Sequence, residues 1–223
     1  MASTARVSQD QRAPAKASSF QAFLERKECS QLFIICCGQA GRVMMHPMEF
    51  LKETQLLSRN LLIIRDVAQT CYQRGVSDEA RDIPALIEWL RQRVQALPHI
   101  KSVYCVGSSG GAYMAMLAGH FLKADAVWAF APPVRLRVDG EGNLDYVDPR
   151  FADVAAILAE GNGVTRYRVY FNEGYEPDLE SCSLLSDTPG VQLFPQAGGG
   201  HGVVLHLAAT NRLSTMFPPV QRV

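Results

Sequence analysis

The amino-acid sequence predicts an α/β fold: a three-layer α/β/α sandwich around a mostly parallel sheet of about six strands. Three observations point there. Six short, almost uniformly apolar runs are distributed along the chain, as expected of strands buried on both faces. Segments with helical character fall between them, the alternation that signals a parallel sheet. At 223 residues the chain suits one domain with a full hydrophobic core and is short for two.

The elements follow in order. Residues 1–18 are polar and rich in Ala, Ser and Gln, and read as a flexible tail ahead of a single domain over 19–223. Residues 20–27 predict a short helix with Phe20, Phe23 and Leu24 on one side. The six strands are expected at 31–37, 60–64, 102–106, 126–130, 167–171 and 191–194. A helix is expected over 48–57 and a longer one over 79–97. In the latter Ile83, Leu86, Ile87, Leu90, Val94 and Leu97 recur on one face, Arg81, Glu88, Arg91 and Gln95 face away, and Pro98 ends it. An Ala- and Met-rich helix follows the third strand over 112–122, and others are expected over 151–159, 178–186 and 203–216. Asp139, Gly140, Glu141, Gly142 and Asn143 read as a surface turn.

Composition narrows the function classes. Lys+Arg and Asp+Glu balance at 22 each, so no global field points to nucleic acid or an anionic membrane. No apolar run is long enough to span a bilayer. The first residues lack the apolar core of a signal peptide, so the chain reads as cytoplasmic and its six cysteines as reduced thiols. Cys36, Cys37 and Cys105 fall in predicted strands, Cys71 and Cys182 in helix-like stretches. No Cys-x-x-Cys spacing suggests a metal, and neither a dinucleotide fingerprint nor a P-loop lysine is present, so no cofactor is expected. The oligomeric state has no signature in the sequence.

The chemistry concentrates at Gly107-Ser108-Ser109-Gly110-Gly111. A buried strand runs straight into Gly-x-Ser-x-Gly and on into a helix. Such a turn holds a serine hydroxyl proud of the backbone, beside a base and a ring of N–H donors. Gly107 and Gly111 let strand and helix approach closely, and the helix N-terminus favours developing negative charge. Ser109 is therefore the candidate nucleophile. His201, in the glycine-rich stretch after the last strand, is the candidate base. Two acids compete between them. Glu173 lies just beyond the strand 167–171 and is preferred; Asp178 is the alternative, though also placed to cap the next helix. The candidate oxyanion donors are the backbone N–H groups of Gly110 and of Gln39, in the turn after the first strand. His46, Arg65 and Phe130 are candidate substrate contacts, in a mouth suited to an apolar or mixed ligand. Arg65-Asp66 reads first as a structural salt bridge.

With nucleophile, acid and base in this order, the chain resembles the α/β-hydrolase superfamily. The likeness spans about Leu32 to His206, and its specific parts are the elbow and the histidine loop. Met48-Glu49-Phe50 after the first strand, Ile64-Arg65-Asp66 with Cys71-Tyr72-Gln73-Arg74-Gly75, and Asn172-Glu173-Gly174 with Asp178 resemble a group of compact hydrolase-like proteins carrying an Arg-Asp…Tyr-x-Arg-Gly segment. The resemblance implies a trimmed version of the fold, without the two early strands, without a large lid, and with an open site. It implies cleavage of an ester or thioester through an acyl-enzyme on Ser109, the acyl group coming from a small molecule or an acyl carrier. Acyl transfer from the same residues, and a non-catalytic binding or assembly role, are the alternatives.

Overall fold

Among the described residues seven strands form the sheet, one more than the apolar runs predict. A computed structural model describes residues 21–138, 144–198 and 200–223; the predicted tail and the turn at 139–143 lie outside them. The strands are β1 (Gln21–Leu24), β2 (Gln31–Cys37), β3 (Asn60–Arg65), β4 (Ser102–Ser108), β5 (Ala126–Phe130), β6 (Arg166–Asn172) and β7 (Val191–Gln196). They lie in the order β1-β3-β2-β4-β5-β6-β7. Every neighbouring pair is parallel except β1 with β3.

The extra strand is β1, where periodicity predicted a helix. Phe23 and Leu24 fit a helical spacing, but a segment this short cannot repay helix nucleation. It instead satisfies the outer edge of β3, pairing Gln21 with Ile64 through to Leu24 with Leu61. Its exposed Phe23 marks it as an edge element.

The helices are α1 (Pro47–Glu53), α2 (Ile83–Gln95), α3 (Gly110–Leu122), α4 (Val154–Ala159), α5 (Glu176–Ser183) and α6 (Val203–Ala209). Strand alternation divides the core in two. Leu32, Ile34, Cys36, Leu62 and Ile64 pack with α2, α3, α4 and α5 on one face. Phe33, Ile35, Cys37, Leu61 and Ile63 pack with α1 and α6 on the other. This gives the three layers.

Local chemistry explains where helices start and stop relative to the pattern. The α2 helix begins at Ile83 because the Asp82 carboxylate accepts the Ala85 N–H at 2.8 Å. The last helix stops at Ala209: the Thr210 hydroxyl donates to the His206 carbonyl at 2.9 Å, Asn211 turns left-handed, and only a short 3-10 turn follows at Leu213–Thr215. Cys71, expected in a helix, lies in a loop with φ of 51°. Between β5 and β6 the single helix among the described residues is the six-residue α4. No described helix is long and apolar enough to cross a membrane.

The parallel order positions the site. It brings the loops after β2, β3, β4, β6 and β7 to one edge of the sheet, the carboxyl edge where α/β folds bind ligands.

Candidate active site

Ser109 sits between β4 and α3 with φ 52° and ψ −130°, a conformation a side-chain-bearing residue rarely adopts. Such strain costs about 1–3 kcal/mol and persists only where the surroundings over-determine it. Here they do. The Ser109 N–H donates to the Phe130 carbonyl at 2.8 Å, and its own carbonyl accepts from Ala112 N–H at 2.8 Å and Tyr113 N–H at 3.2 Å. The two flanking glycines are required by close approach. A methyl group at Gly107 would overlap the Gly111 carbonyl, and one at Gly111 would overlap the carbonyl of Cys36 in β2. The Ser109 side chain is left half-buried at the sheet edge.

His201 follows β7 in the glycine-rich loop, and 43% of its side chain is exposed. Its Nδ1 stands 2.8 Å from Asp178 Oδ1 and 3.1 Å from Oδ2. The carboxylate is an acceptor, so in the neutral imidazole Nδ1 carries the proton and Nε2 keeps its lone pair. Asp178 is buried on the third residue of α5, which is held against the strand ends by Ser181. The Ser181 hydroxyl donates to the Pro132 carbonyl at 3.0 Å and accepts the Val134 N–H at 2.9 Å. No hydrogen bond joins Ser109 to His201; in unliganded sites this contact is often open.

Of the two candidate acids, the structure brings Asp178 and not Glu173 to His201. Glu173 is exposed and makes no bond to His201. Its N–H donates to the Gln196 carbonyl at 3.0 Å, so its backbone still follows the β6–β7 ladder. Asp178 is the carboxylate that faces the imidazole. It does not cap α5, whose N-cap is Tyr175. Asn172 is a residue the sequence reading missed. It is buried at the end of β6, and its Nδ2 donates to the Gly200 carbonyl at 2.8 Å, pinning the histidine loop. An Asn directly after the predicted strand, at the head of the acid loop, was its available signal.

The candidate oxyanion donors stand at two helical starts. Gly110 is the first residue of α3, and Gln39 opens the 3-10 turn Gln39–Gly41. First-turn N–H groups have no carbonyl within their own helix. Gly38 packs against the Ser108 carbonyl, so the β2 turn and the elbow touch.

The loop after β3 completes the wall, and its organisation was not read from the sequence. The Asp66 carboxylate accepts the Tyr72 N–H at 2.9 Å. Burial raises its pKa, opposed by the N–H groups of Tyr72, Thr70, Gln69 and Ala68. Asp66 is thus a loop organiser, not the salt-bridge partner expected for Arg65. Buried Tyr72 donates its hydroxyl toward the carbonyls of Cys37 at 2.8 Å and Ile64 at 3.1 Å. The loop lays Cys71 on the elbow: a methyl at Gly110 would meet Cys71 Sγ at 2.9 Å. Burial, helped by the charge of Asp66, pushes the Cys71 thiol up to about 11.

The three expected substrate contacts separate. His46 and Arg65 line an open cavity of 430 Å³ beside the Gln39–Gly41 turn. Phe130 is not brought to this cavity: its side chain is fully buried in the core, with ring centroids 6.3 Å from Phe50 and 5.5 Å from Tyr170. Only its carbonyl serves the site, by holding Ser109.

No protein-family profile matches the sequence, and no curated protein matches it. Solved structures do match. Esterase 2 of Thermogutta terrifontis aligns over 83% of this chain and 80% of its own, with 15% identity and a TM-score of 0.55; it has also been solved phosphonylated by cyclosarin. Est1E from Butyrivibrio proteoclasticus aligns over 86% of this chain and 90% of its own, with 14% identity and a TM-score of 0.58. A lipase-esterase related protein from Clostridium acetobutylicum aligns over 85% and 95%, with 11% identity and a TM-score of 0.57. At such identities the likeness is one of architecture. The sheet order, the elbow turn and these structural neighbours together establish that the chain has the α/β-hydrolase fold.

Proposed function

We propose that this protein is a serine hydrolase that cleaves a carboxylic ester or thioester through an acyl-enzyme on Ser109. One observation carries the reading: a strained serine at the elbow shares the sheet edge with an imidazole whose Nδ1 is held by a buried carboxylate. Ser109 Oγ attacks the substrate carbonyl while His201 Nε2 takes its proton. The Gly110 and Gln39 N–H groups bind the oxyanion. The imidazolium, stabilised by Asp178, then returns the proton to the leaving alkoxide or thiolate. Water, deprotonated by His201, attacks the ester on Ser109 and releases the acid. Phosphonylation of the Thermogutta esterase by cyclosarin supports this chemistry on the shared fold.

The test is turnover of p-nitrophenyl butyrate by wild type and Ser109→Ala, with products analysed in the presence and absence of an added alcohol. Loss of at least ~10⁴-fold in kcat for Ser109→Ala is expected, with free butyrate as the product. Turnover that survives in the variant contradicts the reading.

A further inference from the structure

Between the candidate base and the candidate acid lies one buried amide held in an orientation that packing alone does not favour. Asn172 ends β6 and is 1% exposed. Its Nδ2 donates to the carbonyl of Gly200, the residue before His201, at 2.8 Å. Its Oδ1 is buried and has no hydrogen-bond partner among the described residues. A buried amide oxygen left unpaired is destabilising, and an apolar side chain of similar shape would avoid that cost. The amide is nonetheless kept, with its donor on the histidine loop. Gly198 is fitted to it: a methyl group there would stand 3.0 Å from Asn172 Oδ1 and 3.3 Å from His206 Nδ1.

The backbone of the same residue reaches the acid. The Asn172 carbonyl accepts the Tyr175 N–H at 3.2 Å, and Tyr175 is the N-cap of α5. The Tyr175 carbonyl in turn accepts the Asp178 N–H at 3.1 Å. The Tyr175 ring lies 6.0 Å from the imidazole, centroid to centroid. Asn172 thus holds the loop of the base with its side chain and the turn of the acid with its main chain. The contact it spans is the one between His201 Nδ1 and the Asp178 carboxylate.

Resting on the hydrolase reading above, we propose that Asn172 is a positioning residue of the reaction, whose Nδ2–H holds the His201 loop in register with Asp178. It acts through the imidazole and not on the substrate. Its loss therefore falls on the chemical step, because a base displaced by about 1 Å loses rate while substrate binding is left alone.

The experiment compares wild type, Asn172→Ala and the isosteric Asn172→Asp in turnover of p-nitrophenyl butyrate. Asn172→Ala is expected to lower kcat about 10²-fold, with KM within about threefold of wild type. In Asn172→Asp, burial raises the pKa of the introduced carboxyl. Its neutral form can donate O–H to the Gly200 carbonyl, whereas its ionised form can only accept and repels that carbonyl. The ratio of its kcat to the wild-type kcat should therefore be largest near pH 5.5 and fall about tenfold or more towards pH 9. Glu173 beside it, Asp178 on α5, His201 after β7, His206 on α6 and Arg212, which donates to Gln196 on β7, are common to both proteins, so their own titration largely cancels in the ratio. Nitrogen-15 NMR of the His201 ring reads the positioning separately. A single Nδ1–H form is expected in neutral wild type, and a mixture with the Nε2–H form in Asn172→Asp at high pH. A kcat in Asn172→Ala within threefold of wild type, or a flat ratio for Asn172→Asp, overturns the proposal. Should Asn172→Ala fail to fold, the Asn172→Asp ratio decides. If wild type turns over no ester, the hydrolase reading fails, and the imidazole spectrum still decides the role of Asn172: the same spectrum in wild type and Asn172→Asp overturns it.

Discussion

The two acids next to β6 separate by a difference of one backbone direction. Glu173 continues the strand ladder and is exposed, whereas Asp178 is carried back by the first turn of α5 and buried against His201. Asp178→Asn should therefore lower kcat on p-nitrophenyl butyrate by about 10³–10⁴-fold, since the imidazole loses the carboxylate that fixes its tautomer. Glu173→Gln should stay within twofold of wild type. Position in the sequence could not separate the two, because the choice depends on the axis of α5, which Ser181 and the β5 loop set. Phe130 illustrates the same limit: a residue at a strand end can face the core as readily as the mouth. Cys71 gives a pH test. Burial disfavours its thiolate and Asp66 adds to the effect, so the folded thiol titrates at about 11. Mapped by mass spectrometry, its alkylation by iodoacetamide should be slow at pH 7.5 and rise as pH approaches 11; rapid alkylation at neutral pH contradicts this.

At the scale of elements, the elbow was the most legible part of the chain. Gly-x-Ser-x-Gly has a geometric cause, since a side chain at either glycine meets a carbonyl of its neighbour. Gly111→Ala should destabilise by about 3 kcal/mol or more in urea unfolding, or prevent folding. Gly161→Ala should cost only about 1 kcal/mol, because nothing lies within 4 Å of its built Cβ and only its left-handed φ opposes the change. The loop after β3 was far less legible. Its Arg-Asp and Tyr-x-Arg-Gly residues stood out, but their roles emerge only when Tyr72 reaches the carbonyls of two strands. Tyr72→Phe leaves these buried carbonyls without that donor and should cost about 1–3 kcal/mol. The edge strand β1 was misread because four residues give too short a window to distinguish a period of two from one of 3.6.

At the scale of the molecule, five buried strands and one half-exposed edge strand were readable as apolar runs, each within two residues of its observed ends. The parallel direction of the strands followed from chain alternation; their order is set by the fold, and it gathers Gly38, Asp66, Ser109, Asp178 and His201 from distant stretches onto one edge. What the fold cannot supply is the reaction, for the same scaffold hosts many chemistries. The proposed reaction requires Ser109 to be an activated nucleophile. Incubating the protein with a fluorophosphonate and mapping the adduct by mass spectrometry tests it directly. A single stoichiometric adduct on the Ser109 peptide is expected, absent from Ser109→Ala and strongly slowed in Asp178→Asn. Equal labelling of wild type and Ser109→Ala, or no adduct on the folded wild-type protein, contradicts it.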